Sequence, residues 1–332
     1  MYTGNNTFVE EISITTYPIL FSILLAALIP SILCSLLIFV YFFSHWRTSI
    51  INSLHNHPIF LLSITSFLYN TLDLPFTMNT YRTGSDTPRN PTFCLWWFWF
   101  DYTLLAVNLY LAMISSIQRH ILIFHSHWLR FHRLRWILHY IPLIFGVVYP
   151  SCFYLVVIYL YPCEISYDDA SQYCLYPCYL DVILAYTLDW IFNIVLPVLM
   201  NGFANFILVM RVMRSMKKVR QQQRNTWKKQ KRLTITLLVY SLLYFLLWLP
   251  AVVMTIVKNN ANKQLLENIP DLYYLYYIYV FICPLQPFMC VLALPELVQT
   301  IKQRQRARRI IAPEVPLTIG RTGLQVRNNQ WY

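Results

Sequence analysis

Apolar residues run along this chain in long blocks separated by short polar segments, without the strict alternation of a half-buried strand. Seven blocks reach the length of about 20 residues that a helix needs to cross a bilayer. They fall at roughly 17–43, 58–80, 93–125, 134–160, 180–212, 231–257 and 271–294. Barrel strands would alternate over about ten residues, and these runs are too long and too continuous for that. The third, fifth and sixth blocks are long enough to project into the cytosol. After the seventh come Pro295, Glu296 and Leu297, then Val298, Ile301 and several Arg. Proline suits a first helical turn and glutamate its positive end, so 295–309 reads as a short amphipathic helix on the inner membrane face. Residues 1–16 are polar and read as an outer N-terminal segment, and 310–332 as a disordered tail. The predicted fold is an all-α membrane protein, a seven-transmembrane helix bundle spanning 17–294.

Composition agrees. The chain is 57% hydrophobic and 12% charged, about half the charge of a soluble domain. Its net charge of +12 would suit nucleic acid only if gathered on a folded polar face. Instead the basic residues flank apolar blocks. With the N-terminus outside, the inner segments hold Arg47, Arg119, Arg130, Arg133 and Arg135, ten Lys/Arg from Arg211 to Arg232, and seven from Lys302 to Arg327. The outer segments hold Arg82, Arg89, Lys258 and Lys263. This bias predicts an N-out, C-in topology, with the inner basic face against anionic lipid. Trp96, Trp97, Trp99, Tyr273, Tyr274, Tyr276 and Tyr277 gather near block ends, as an interfacial aromatic belt does. Asn5 begins a glycosylation sequon, usable on a luminal segment.

Of eight cysteines, Cys34, Cys152, Cys283 and Cys290 fall inside blocks and read as small packing residues. Cys94, Cys163, Cys174 and Cys178 fall on the outer, oxidising side, where an even set predicts two disulfides. Cys94 opens the third block and its partner belongs in the 161–179 loop. Such a bond would pin that loop over the bundle; the connectivity stays open.

At this point the chain resembles the rhodopsin-like (class A) G protein-coupled receptors. Arg119 follows Cys94 by 25 residues within Ser116-Ile117-Gln118-Arg119-His120, as the arginine of the family's Asp-Arg-Tyr motif does. Trp248-Leu249-Pro250 resembles Cys-Trp-x-Pro. Pro197 sits mid-fifth span, and Gln286-Pro287-Phe288-Met289-Cys290 resembles Asn-Pro-x-x-Tyr. The resemblance covers roughly 17 to 309. It implies a plasma-membrane receptor that passes ligand binding to a heterotrimeric G protein, without cofactor, metal or chemistry of its own. Arg119, with its neighbour Gln118, would meet the G protein when the sixth span opens. Pro197, Pro250 and Pro287 would kink their spans, and Trp248, its ring facing bundle or lipid, would relay the ligand's push. The chain also departs from the pattern. Gln118 and Gln230 stand where acids would hold the arginine, Ser66 where the second span carries Asp, Gln286 for Asn and Cys290 for Tyr. The family's sodium pocket thereby lacks its acid.

Acids inside a membrane are functional candidates by default. Asp73, Asp101 and Asp189 lie in the outer halves of the second, third and fifth spans. By the resemblance, Asp101 stands where amine receptors carry their ammonium-binding Asp. A cationic amine or basic peptide would pair with these acids, with Trp248, Tyr276 and Tyr102 as aromatic neighbours. The competing reading is an Asp that is protonated or bonded to a nearby Tyr. A seven-span transporter or channel is the alternative function. It would need internal repeats and a polar path across the midplane, and the acids stop in the outer half. The sequence shows no HExxH, GxSxG or phosphate-binding glycine loop, which argues against an enzyme.

Overall fold

The computed structural model describes residues 4–51, 53–83, 90–125, 127–162, 166–168, 173–216, 242, 244–253, 280–294 and 297. Its main helices follow the apolar blocks. They are α1 Gly4–Ser44, α2 Asn56–Thr83, α3 Pro91–Phe124, α4 His132–Leu160, α5 Ile183–Arg211, α6 Tyr244–Val253 and α7 Ile282–Ala293. The first five are long and apolar enough to cross a membrane, counting α1 from Pro18. Of the sixth and seventh blocks, the described residues cover one part each. Tyr276, Cys163, Gln230, the Asn5 side chain, the amphipathic segment 295–309 apart from Leu297, and the tail 310–332 lie outside the described residues.

Two features differ from the sequence expectation. The first helix begins at Gly4, well inside the segment expected to be a separate polar N-terminus. Residues 5–17 contain neither glycine nor proline, so nothing in the sequence stops the helix there. The loop between α4 and α5 also folds a small antiparallel hairpin, β1 Ser166–Asp168 with β2 Tyr173–Tyr176, while the other elements among the described residues are helical.

The bundle is built around α3. Its start is set by Asn90, whose side chain accepts a hydrogen bond from the Thr92 amide, and by Pro91 at the first turn. Val107, Leu109, Leu111, Ala112 and Ile114 of α3 are buried in one cluster with Leu62 of α2, Leu143 of α4, Val198 of α5, Trp248 and Ala251 of α6, and Ile282 and Met289 of α7. Gly146 lets α4 approach closely, since a Cβ there would lie 2.6 Å from Ile114 Cδ1. The opposite faces are apolar and exposed. Ile29 and Val40 on α1, Ile144 on α4, and Phe203 and Phe206 on α5 are each more than half exposed. A bundle that buries polar groups and presents large apolar side chains outward is matched to a hydrocarbon solvent rather than to water.

Prolines shape the helices locally. A proline has no N–H for the carbonyl four residues earlier, and its ring crowds that carbonyl. Four wide, π-helical turns end two residues before a proline: Tyr69–Asp73 before Pro75, Trp136–Tyr140 before Pro142, Val156–Leu160 before Pro162, and Trp190–Val195 before Pro197. Such turns leave backbone carbonyls available for other partners, and the sites described next hang on several of them.

Candidate functional site

At the outer end, Cys94 at the start of α3 is bonded to Cys174 in β2, which ties the hairpin loop to the bundle. Cys178 is also disulfide-bonded. Cys283 and Cys290 are buried thiols as expected of packing residues, whereas Cys34 is partly exposed and Cys152 faces outward.

Of the three intramembrane acids, the structure brings two together. Asp73 sits in the wide turn before Pro75 and is fully buried. It accepts a hydrogen bond from the Trp97 indole at 2.8 Å and lies within hydrogen-bonding reach of Asp101. Tyr69, one turn before Asp73, is hydrogen-bonded to both acids. A hydrogen bond between two carboxyl groups needs at least one proton on the pair, so in that contact the two acids carry at most one negative charge.

Asp189 is held apart from that pair. Its carboxylate accepts from the Tyr154 hydroxyl at 2.7 Å, the Tyr179 hydroxyl at 2.9 Å and the Asn193 amide at 2.8 Å. Three donors on one buried carboxylate make a staple between α4, α5 and the turn Cys178–Asp181. Tyr102 packs its ring 5.6 Å from that of Tyr154. Trp248 is buried in the central cluster, so its ring faces the bundle and not lipid.

Below the acids lies a neutral polar knot joining α1, α2, α3 and α7. Pro287 frees the Cys283 carbonyl, which accepts from Ser66 Oγ at 2.8 Å and Asn70 Nδ2 at 3.2 Å. Asn70 also reaches Ser31 on α1 at 2.9 Å. Asn108 Oδ1 accepts from Thr65 at 2.7 Å and from Gln286 Nε2 at 3.0 Å, and Gln286 donates further to the Leu62 carbonyl. This is where the resemblance would place a sodium ion. The Asn70 and Gln286 amide oxygens have no hydrogen-bond donor among the described residues, and among those residues no carboxylate is hydrogen-bonded into the knot; Asp73 and Asp101 interact with Cys283 from beside it. A monovalent cation would find amide, hydroxyl and carbonyl oxygens in a low-dielectric interior but no carboxylate as a ligand, so these residues do not fit one.

At the inner end, Arg119 is buried, 7% exposed, and donates to Ser115 Oγ at 2.9 Å. Cys290 of α7 is close enough to interact with it and is hydrogen-bonded to Ser63. Gln118 turns toward α4, where its amide donates to the His139 carbonyl at 2.8 Å. Leu138, whose carbonyl Pro142 leaves without its helical donor, is 3.5 Å from the same amide. The His139 ring meets His57 of α2 at 2.8 Å, and His57 Nε2 lies 2.7 Å from the Ile50 carbonyl. A carbonyl only accepts, so His57 carries its proton on Nε2 and takes the His139 Nε2–H at Nδ1. Between α3 and α5, Ser116 meets Asn201 and Asn205, and the Arg211 guanidinium lies 5.4 Å from the Phe124 ring centre.

The sequence motifs single out acids, an arginine, prolines and three glutamines, but not the buried asparagines. Asn70, Asn108, Asn193, Asn201 and Asn205 are all 4% exposed or less. The signal was present: an asparagine inside an apolar block must find a partner helix or stay unsatisfied.

The 7 transmembrane receptor (rhodopsin family) model matches residues 43–290, most of the chain. No curated protein matches it. With apolar helices packed round α3, a loop disulfide at one end of that helix and a buried arginine toward the other, this chain belongs to the rhodopsin family of seven-transmembrane receptors.

Proposed function

We propose that this receptor binds a cationic extracellular ligand, an amine or a basic peptide, at Asp101 and Asp73. Binding there promotes nucleotide exchange on a heterotrimeric G protein at the inner ends of α3, α5 and the sixth span. The observation that carries this reading is that two carboxyls, Asp73 and Asp101, are brought together in the outer half of the bundle. An ammonium or guanidinium group replaces the shared proton and gives each carboxyl a charged partner. Trp97 and Tyr69 hold the pair in place, and Tyr102 and Trp248 provide aromatic surface within the bundle. Asp189 is not part of the ligand site in this reading, because three protein donors already occupy it.

Orientation follows from charge: the N-terminus faces outside and the basic segments face the cytosol at the plasma membrane. The exposed Trp46, Trp128 and Trp136 lie beside Arg47, Arg130 and Arg135, which suits the anionic inner headgroup layer. Ligand binding shifts the resting equilibrium only through a difference in affinity between closed and open bundles.

The test is a G protein activation assay in cells, across a panel of amines and basic peptides. For an agonist found there, Asp101→Asn lowers potency by roughly tenfold to a hundredfold, the loss of one charge-assisted contact. Equal potency of Asp101→Asn and wild type for a cationic agonist overturns the assignment of Asp101. Activation by neutral or anionic ligands alone overturns the ligand class.

A further inference from the structure

Ser116, Asn201 and Asn205 form a compact polar cluster that the motifs do not account for. Ser116 lies on α3, one turn before Arg119; Asn201 and Asn205 lie on successive turns of α5, below Pro197. Ser116 Oγ is 2.7 Å from Asn201 Oδ1 and 3.0 Å from the Ala112 carbonyl, and it accepts from Asn205 Nδ2 at 2.9 Å. Asn205 Nδ2 also reaches Asn201 Oδ1 at 2.9 Å and its carbonyl at 2.6 Å. The three side chains are 1%, 2% and 4% exposed. At this burial, a bond broken here leaves a polar group without a partner from bulk solvent.

Its position gives it a consequence. Arg119 is withdrawn into the bundle beside Ser115, and its sequence neighbour is the neutral Gln118 rather than an acid. Ser116, Asn201 and Asn205 join α5 to α3 beside this arginine through an uncharged hydroxyl and amides; the His120 ring, hydrogen-bonded to the Ala204 backbone, and Arg211 over Phe124 also bridge the two helices, and Gly202 gives α6 close access to α5 at the same level.

We infer that Ser116, Asn201 and Asn205 form a neutral clasp that holds the inner halves of α3 and α5 together and so sets the resting level of Arg119 exposure. They are positioning residues, acting through the helices and touching neither ligand nor G protein. The consequence for signalling rests on the receptor reading above, whereas the clasp itself is a statement about helix separation.

Two readouts on the full chain in lipid nanodiscs keep these apart. Spin labels at His127→Cys and Arg214→Cys, on a Cys152→Ser background, report the distance between the inner ends of α3 and α5 by double electron–electron resonance. Ser116→Ala removes the shared hydroxyl with little change in volume, and Asn205→Leu removes the amide. Both variants add a longer-distance population, and Ser116→Thr, which keeps the hydroxyl, restores the wild-type distribution. Ligand-free nucleotide exchange rises by about threefold to tenfold in Ser116→Ala and Asn205→Leu. The double variant gains less than the product of the two. Unchanged distances in Ser116→Ala, at wild-type thermal stability, overturn the clasp. A longer distance without any exchange in wild type or variant leaves the clasp standing and sinks the receptor reading on which its signalling role depends.

Discussion

Three aspartates of one sequence type reach two different fates. Asp189 accepts three hydrogen bonds from Tyr154, Tyr179 and Asn193, so Asp189→Leu strands three buried donors. It lowers stability by at least ~2 kcal/mol, read as a lower thermal unfolding midpoint in detergent, and cuts surface expression. Asp101→Asn keeps an acceptor and a donor next to Asp73 and Tyr69, so its unfolding midpoint stays near wild type while cationic potency falls. The opposite ranking, with Asp101→Asn unstable and Asp189→Leu stable but unresponsive, would exchange the two roles. Sequence position alone could not separate these acids. All three sit in outer half-spans, and only the partners that α4 and the outer turn supply, Tyr154 and Tyr179, tell them apart.

At the scale of helices, prolines decide where polar cross-links form. Cys283 and Leu138 each present a carbonyl to a side chain because the proline four residues on gives no N–H. The chain thus uses backbone acceptors where an acid would otherwise serve. This makes the mid-bundle knot neutral. Exchanging sodium for choline in the buffer therefore leaves the thermal stability of the purified protein unchanged, and Ser66→Asp makes it sodium-dependent. Sodium-dependent stability of the wild type would contradict the neutral knot. A run of side chains on α7, Cys283, Gln286 and Cys290, links the acid pair above to Arg119 below. Contiguity is not coupling, and only the displacement of a helix that both ends bias would make it so. The helices themselves were legible in the apolar blocks, since a bilayer fixes length and composition together. Their wide turns were not, because whether a proline kinks or widens a helix depends on what the freed carbonyl finds.

For the whole molecule, the outer covalent frame and the inner polar contacts have separate tasks. Cys94–Cys174 fixes the hairpin loop to α3, and Cys178 is bonded as well. Cys34, Cys152, Cys283 and Cys290 are free. Alkylating the denatured, unreduced protein therefore modifies four of its eight cysteines, and prior reduction exposes all eight. Labelling of six without reduction would remove one outer bridge. The cysteine count made two outer bonds readable in advance, but not which cysteine meets Cys94, since that depends on how the loop folds back. The charge bias likewise points to a topology and not to a ligand, because orientation is summed over whole loops while recognition rests on two or three side chains.

The proposed signalling role centres on Arg119 acting on a G protein from the end of α3 opposite Cys94. Its direct measurement is nucleotide exchange on purified heterotrimer by the receptor in nanodiscs, with Arg119→Ala alongside. Wild type accelerates exchange over empty nanodiscs, and Arg119→Ala lowers that acceleration by roughly tenfold or more, the value of one charge-assisted contact. Equal exchange by Arg119→Ala and wild type, at matched folding, would contradict it.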